Sequence, residues 1–135
     1  MSRKVAREKA LQALFQIDLA GTEPSQAIKN VLVDSELDIN GQAFTQTLVT
    51  GAVKHLKEID SLIKEKAVNW HLDRISNVEK AVLRIAVYEL LFLKDVPPAV
   101  SINEAVNLVK VFGSEKGASF VNAILDKIAK ENAGE

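Results

Sequence analysis

The sequence predicts an all-α fold of six or seven helices. Apolar residues recur at helical spacing through most of the chain, no segment sustains the alternation of a half-buried strand, and the breaks between periodic segments carry helix start and stop residues. The first helix runs from about Arg3 to Ala20 and ends at Gly21-Thr22-Glu23-Pro24, because proline is tolerated at a helix start but not inside one. A shorter helix follows from Ser25. SELDING reads as a loop. FTQTLVTGAVKHLKEIDSLIKEKAV then places Phe44, Leu48, Ala52, Leu56, Ile59, Leu62 and Ile63 at helical spacing, which predicts one long third helix through Gly51. NWHLDRIS breaks the pattern, with room for one helical turn around Trp70 and Leu72. Ser76-Asn77-Val78-Glu79 and Ser101-Ile102-Asn103-Glu104 both fit the capping box, in which a serine oxygen accepts a free backbone N–H and the glutamate returns to the serine N–H. The first box opens a helix over about Val78 to Leu93. Its Val82, Leu83, Ile85, Val87, Leu90, Leu91 and Phe92 surround the axis, so this helix belongs in the middle of the core. Asp95-Val96-Pro97-Pro98 stops it. The helix from Ser101 turns Ile102, Ala105, Val106, Leu108, Val109 and Phe112 inward and Asn103, Asn107 and Lys110 outward, and Gly113 ends it. Ser114 caps a last helix to about Lys130, with Val121, Ile124, Leu125 and Ile128 as its inner stripe.

Composition narrows the function classes. The 135 residues suit one domain, and 47% apolar with 26% charged residues is the balance of a folded globular chain. With no cysteine, disulfides, thiolate metal sites and a cysteine nucleophile are excluded, and a cytoplasmic location is expected. Gln12, Gln16 and Asp18 interrupt the N-terminal apolar residues, so no signal-peptide pattern is present. The longest apolar run, AVLRIAVYELLFL, falls short of the roughly 20 residues a membrane span needs and carries Arg84 and Glu89, so no membrane association is expected. A net charge of −1 excludes the bulk electrostatics of a DNA-coating protein, so any nucleic-acid contact must be local.

Catalytic constellations are absent. Glycines at 21, 41, 51, 113, 117 and 134 make no phosphate-cradling or dinucleotide loop. His55 and His71 lie in different segments without a carboxylate at metal-site spacing. The serines sit where caps belong, so no enzyme, metal or cofactor is expected. Two local features remain. On the first helix Arg3, Lys4 and Arg7 fall within an arc of about 100°, Lys9 points away, and Leu11 and Leu14 continue the same side onto the core. Cations at a helix N-terminus oppose the macrodipole by a few tenths of a kcal/mol, so something else must favour them. On the last helix Lys116, Phe120 and Lys127 share one side beside the inner stripe. An aromatic flanked by lysines can stack a base while the ammonium groups take phosphates, and it can equally be a core residue.

The run EKAVLRIAVYELLFLKDVPPAVSINEAVNLVKVFGSEKGASFVNAILDKIAK closely resembles the C-terminal half of the NusB family of bacterial transcription antitermination factors. The matching residues are Val82 to Leu90, the Asp-x-Pro turn at Asp95-Val96-Pro97, Ile102 to Ala105, Gly113 and Phe120-Val121-Asn122. The first half is similar too, with a basic start and Ala-Leu-Gln-Ala-Leu-Phe at residues 10 to 15. The resemblance implies one domain over residues 1–135 made of two perpendicular three-helix subdomains, about 1–68 and 69–135. It implies binding of the single-stranded boxA element of ribosomal RNA leaders, together with the small-subunit ribosomal protein acting as NusE. The setting it implies is the elongation complex with other Nus factors, with this chain a monomer or weak homodimer. By the same resemblance the RNA surface comprises Arg3, Lys4, Arg7, Phe15 and Phe120, to which Lys116 is added by its place on the same side of the last helix as Phe120, and the partner surface includes Arg74 and Glu79. This chain has fewer basic N-terminal residues than arginine-rich members, and its Lys4 often corresponds to arginine there, so weak RNA binding alone is expected. Two rival readings stand beside this one. One is a protein–protein adaptor whose RNA surface has decayed. The other is a stand-alone relative of the RNA-binding domain of ribosomal RNA cytosine-5 methyltransferases, without their methyl-donor site.

Overall fold

The computed structural model describes residues 3–67 and 75–133. Among the described residues there are seven helices and no strand: α1 (Arg3–Ala20), α2 (Pro24–Leu32), α3 (Ile39–Lys54), α4 (Leu56–Lys66), α5 (Asn77–Phe92), α6 (Pro98–Phe112) and α7 (Glu115–Ala133). No described helix is long and apolar enough to cross a membrane. The chain forms two compact units, Met1–Lys54 and His55–Glu135. The division therefore falls earlier than the boundary near residue 68 implied by the resemblance, and among the described residues the second unit includes α4, which packs on α5 and α7, with α5, α6 and α7.

In the first unit α1, α2 and α3 pack on one another. Their apolar stripes, Ala6, Ala10, Leu11 and Leu14 with Ala27, Ile28, Val31, Phe44, Leu48 and Val49, make its core. Gly21 ends α1 with φ +67°, a left-handed conformation that favours glycine. Glu23 then caps α2 by accepting the Ser25 N–H at 3.0 Å, and the Ser25 hydroxyl bond holds the Glu23 carboxyl below its ordinary value. The SELDING loop is shorter than expected. Asp38 Oδ1 accepts the Gly41 N–H at 2.8 Å, so α3 already starts at Ile39. The buried Thr45 hydroxyl donates to the Ala6 carbonyl at 3.0 Å and ties α3 to α1.

The single long third helix is not observed. Gly51 lies buried within α3, and the interruption comes at His55, where φ −106° and ψ 25° leave the helical region. One continuous apolar stripe thus serves two cores, Leu48 and Ala52 in the first unit and Ile59 and Ile63 in the second.

In the second unit α5 is the central element, as its pattern predicts: every residue from Ala81 to Val87 is buried, with Glu89 and Leu90. Its last turn departs from expectation, since Leu91 is half-buried and Phe92 is 36% exposed. Phe92 instead stacks on His55 and Tyr88, with ring centroids 4.2 and 5.2 Å away. Ser76 Oγ accepts the Glu79 N–H at 3.1 Å, the serine half of the predicted box. Ser114 Oγ likewise accepts the Gly117 N–H at 2.9 Å, and Val121, Ile124, Leu125 and Ile128 of α7 are buried.

The second capping box is corrected by the structure. Pro97-Pro98 has the backbone of a helix start, so α6 begins at Pro98 and Ser101 lies inside its first turn. The Ser101 hydroxyl donates to the buried Glu89 carboxylate at 2.7 Å rather than capping its own helix. Phe112, expected inside, is 41% exposed at the end of α6, while Ile102, Val106 and Asn107 are half-buried. Ser101→Ala removes a donor from a buried carboxylate, and a loss of about 1–3 kcal/mol is expected in chemical denaturation. A change under about 0.3 kcal/mol would show that the bond contributes little net stability.

Candidate nucleic-acid interface

The basic start of the chain is built on an aromatic ring. In the first unit the Arg3 guanidinium carbon lies 4.3 Å from the Phe44 ring centroid and that of Arg7 lies 5.2 Å from it. A guanidinium over a phenyl face is attracted by the ring quadrupole, by about 0.5–1 kcal/mol when exposed and more when water is excluded. This is an intramolecular reason for cations at the unfavourable end of a helix dipole. The three cations that share this side differ in exposure: Arg3 and Lys4 are exposed, but Arg7 is only 4% exposed. The cause is the spacing itself. Arg7, Leu11 and Leu14 share one face, and the periodicity that buries the leucines buries Arg7, whose flat guanidinium tolerates this by lying over Phe44. Phe15, one turn beyond Leu11, is half-buried.

Phe44 was legible in the sequence only as an apolar position of a helix. No local signal marks it as the support of Arg3 and Arg7, because the contact joins residues about forty positions apart through the packing of α3 on α1.

In the second unit Lys116 and Phe120 line a cleft of about 560 Å³ together with Ser76, Glu79, Ser114, Gly117, Ser119 and Ala123. Its walls are the starts of α5 and α7, each fixed by its serine cap. Of these lining residues Lys116 is exposed and Phe120 is half-buried. Glu79, expected at a partner surface, is half-buried and lines this same cleft. Arg74 lies outside the described residues. Among the described residues no group of three or more histidine, aspartate or glutamate side chains is arranged to hold a metal ion.

The all-helical scaffold thus carries an arginine–phenylalanine stack on one unit and a lysine–phenylalanine cleft on the other, pairing cations with aromatic faces as nucleic-acid-binding proteins do. A family profile described as the NusB family matches residues 4–130. The chain belongs to the NusB family. It is 47% identical over 131 residues to the transcription antitermination protein NusB of Bacillus licheniformis, covering 97% of this chain and 98% of that one. It is similar in structure to T. maritima NusB, with a TM-score of 0.90 and 38% identity over 97% of this chain and 92% of that chain. It is also similar to a chain in a crystal structure of antitermination factors NusB and NusE in complex with double-stranded RNA, with a TM-score of 0.88 and 36% identity, covering 96% and 97% of the two chains.

Proposed function

We propose that this chain is an RNA-binding transcription antitermination factor. It binds the boxA element of ribosomal RNA leader transcripts together with the small-subunit ribosomal protein acting as NusE, in the elongation complex with other Nus factors. The observation that carries the reading is the Arg3–Phe44–Arg7 stack, which holds the exposed Arg3 and Lys4 on a rigid support. Family membership and the NusB–NusE–RNA relative support it. In this reading Arg3, Lys4 and Lys116 meet phosphates, Phe15 and Phe120 offer aromatic faces to unpaired bases, and the buried Arg7 positions Arg3 through Phe44. Arg74 and Glu79 meet NusE.

A chain of net charge −1 whose candidate RNA surface carries Arg3, Lys4 and Lys116 as its exposed cations neutralises few phosphates there, so binding alone is weak and salt-sensitive. NusE extends the surface, and the complex is expected to bind boxA tighter by about 1–3 kcal/mol. The test is a fluorescence-anisotropy titration of boxA RNA, its scrambled counterpart and a double-stranded version, with and without NusE. Arg3→Ala is expected to flatten the dependence of log affinity on log salt by about one unit, the signature of one lost phosphate contact. Equal binding of boxA and scrambled RNA with and without NusE would favour the adaptor reading.

A further inference from the structure

The cleft of the second unit contains a charge of the wrong sign for RNA. Glu79 reaches from the first turn of α5 to the first turn of α7 and stands directly over Gly117: a β-carbon at position 117 would lie 2.5 Å from Glu79 Oε2 and 3.1 Å from its carboxyl carbon. No side chain other than hydrogen fits at 117 while the carboxylate is there. Gly117 is buried in the first turn of α7, where its backbone N–H meets the Ser114 cap and its missing β-carbon leaves the room that the carboxylate occupies. Among the described residues no N–H or O–H donates to the Glu79 carboxylate, which leaves its charge open to the cleft it shares with Lys116 and Phe120.

We propose that Gly117 is a positioning residue that seats the Glu79 carboxylate in the Lys116–Phe120 cleft as an internal competitor of RNA phosphate, and that a basic partner surface drawing this carboxylate out raises RNA affinity. The proposal rests on the RNA reading of the cleft and on Glu79 meeting NusE, and it supplies the link between them. Two negative charges within a few ångströms repel appreciably at a part-buried site, so carboxylate and phosphate exclude each other beside Lys116. A cationic side chain of the partner both pairs with Glu79 and removes the repulsion. By reciprocity RNA in the cleft frees Glu79 for the partner by the same factor.

Three variants separate this from its alternatives. Glu79→Gln removes the charge and keeps the shape and the cap, whose bond uses the backbone N–H of residue 79. Gly117→Ala keeps the charge but displaces the flexible carboxylate from its seat. Glu115→Gln removes one exposed acid that does not line the cleft and so controls for net charge. The readout is the affinity of each isolated protein for boxA RNA, and the factor by which NusE increases it, with circular dichroism to confirm folding. Glu79→Gln and Gly117→Ala are each expected to bind RNA about five- to tenfold tighter than the parent without NusE, with the NusE enhancement reduced by the same factor. Glu115→Gln is expected to change affinity less than about twofold. If Glu79→Gln weakens NusE binding but leaves RNA affinity of the isolated protein unchanged, Glu79 is a partner contact only and the proposal is overturned. If Glu115→Gln tightens binding as much as Glu79→Gln, the effect is net charge and the seat is overturned. A parent protein that binds no RNA with or without NusE overturns the RNA reading, and this inference with it.

Discussion

Leu83→Ala is expected to destabilise the protein by about 2–5 kcal/mol, measured as a shift of the urea unfolding midpoint at unchanged slope. Leu83 is fully buried at the middle of α5, the helix that packs on α4, α6 and α7, so no single neighbour can move in to fill the space. The cost has two parts, the lost transfer of the removed carbons and the cavity they leave in the core of the second unit. Leu83→Met conserves volume and is expected to cost less than about 1.5 kcal/mol. A loss below about 1 kcal/mol for the alanine variant would mean that the site collapses freely and that α5 is not the rigid centre of its unit.

Asp60→Ala is expected to cost about 2–4 kcal/mol, from a different cause. Arg84 Nε and Nη2 donate to the two Asp60 oxygens at 2.9 and 2.8 Å, the bidentate geometry that suits a guanidinium and a carboxylate. The arginine side chain is 10% exposed and the aspartate 22%, so removing the carboxylate takes a bidentate anionic partner from a mostly buried cation within the α4–α5 contact. Replacing both, as Arg84→Met with Asp60→Leu, removes the buried charge together with its partner and is expected to recover most of the loss. The exposed Asp126–Lys130 pair on α7, at 55% and 78% side-chain exposure, provides the contrast: Asp126→Ala there is expected to stay within about 0.5 kcal/mol of the parent. If the double replacement is no more stable than Asp60→Ala, the arginine acts through something other than its charge pairing.

Helix positions were legible in the sequence wherever a periodic stripe met a chemically distinct end. α1, α5 and α7 fall close to their expected bounds because Gly21, Ser76 and Ser114 each have one backbone task at that point. Legibility failed where two local rules competed. Ser101-Ile102-Asn103-Glu104 has the form of a capping box, but Pro97-Pro98 starts α6 three residues earlier, and the serine is left to pair with Glu89 on a helix twelve positions back. It failed again at His55, since an apolar stripe whose one glycine, Gly51, sits inside α3 and not at the break carries no mark of which core each half will join.

For the candidate site the division is similar. Residue types and spacing by themselves determined that any nucleic-acid contact would be local, that Arg3, Lys4 and Arg7 share one side of a helix, and that Lys116 and Phe120 share one side of another. Only the tertiary structure decided what stands opposite those sides. Phe44 lies under Arg3 and Arg7 because α3 packs on α1, which turns Arg7 from an exposed charge into a buried support. Glu79 enters the Lys116–Phe120 cleft because the starts of α5 and α7 meet where residue 117 has no side chain. The physical reason is the range of the interactions. Helical periodicity and capping act over three or four residues and can be read along the chain, whereas ring stacking, burial of a charge and exclusion of a β-carbon act between surfaces whose meeting depends on the whole packed unit.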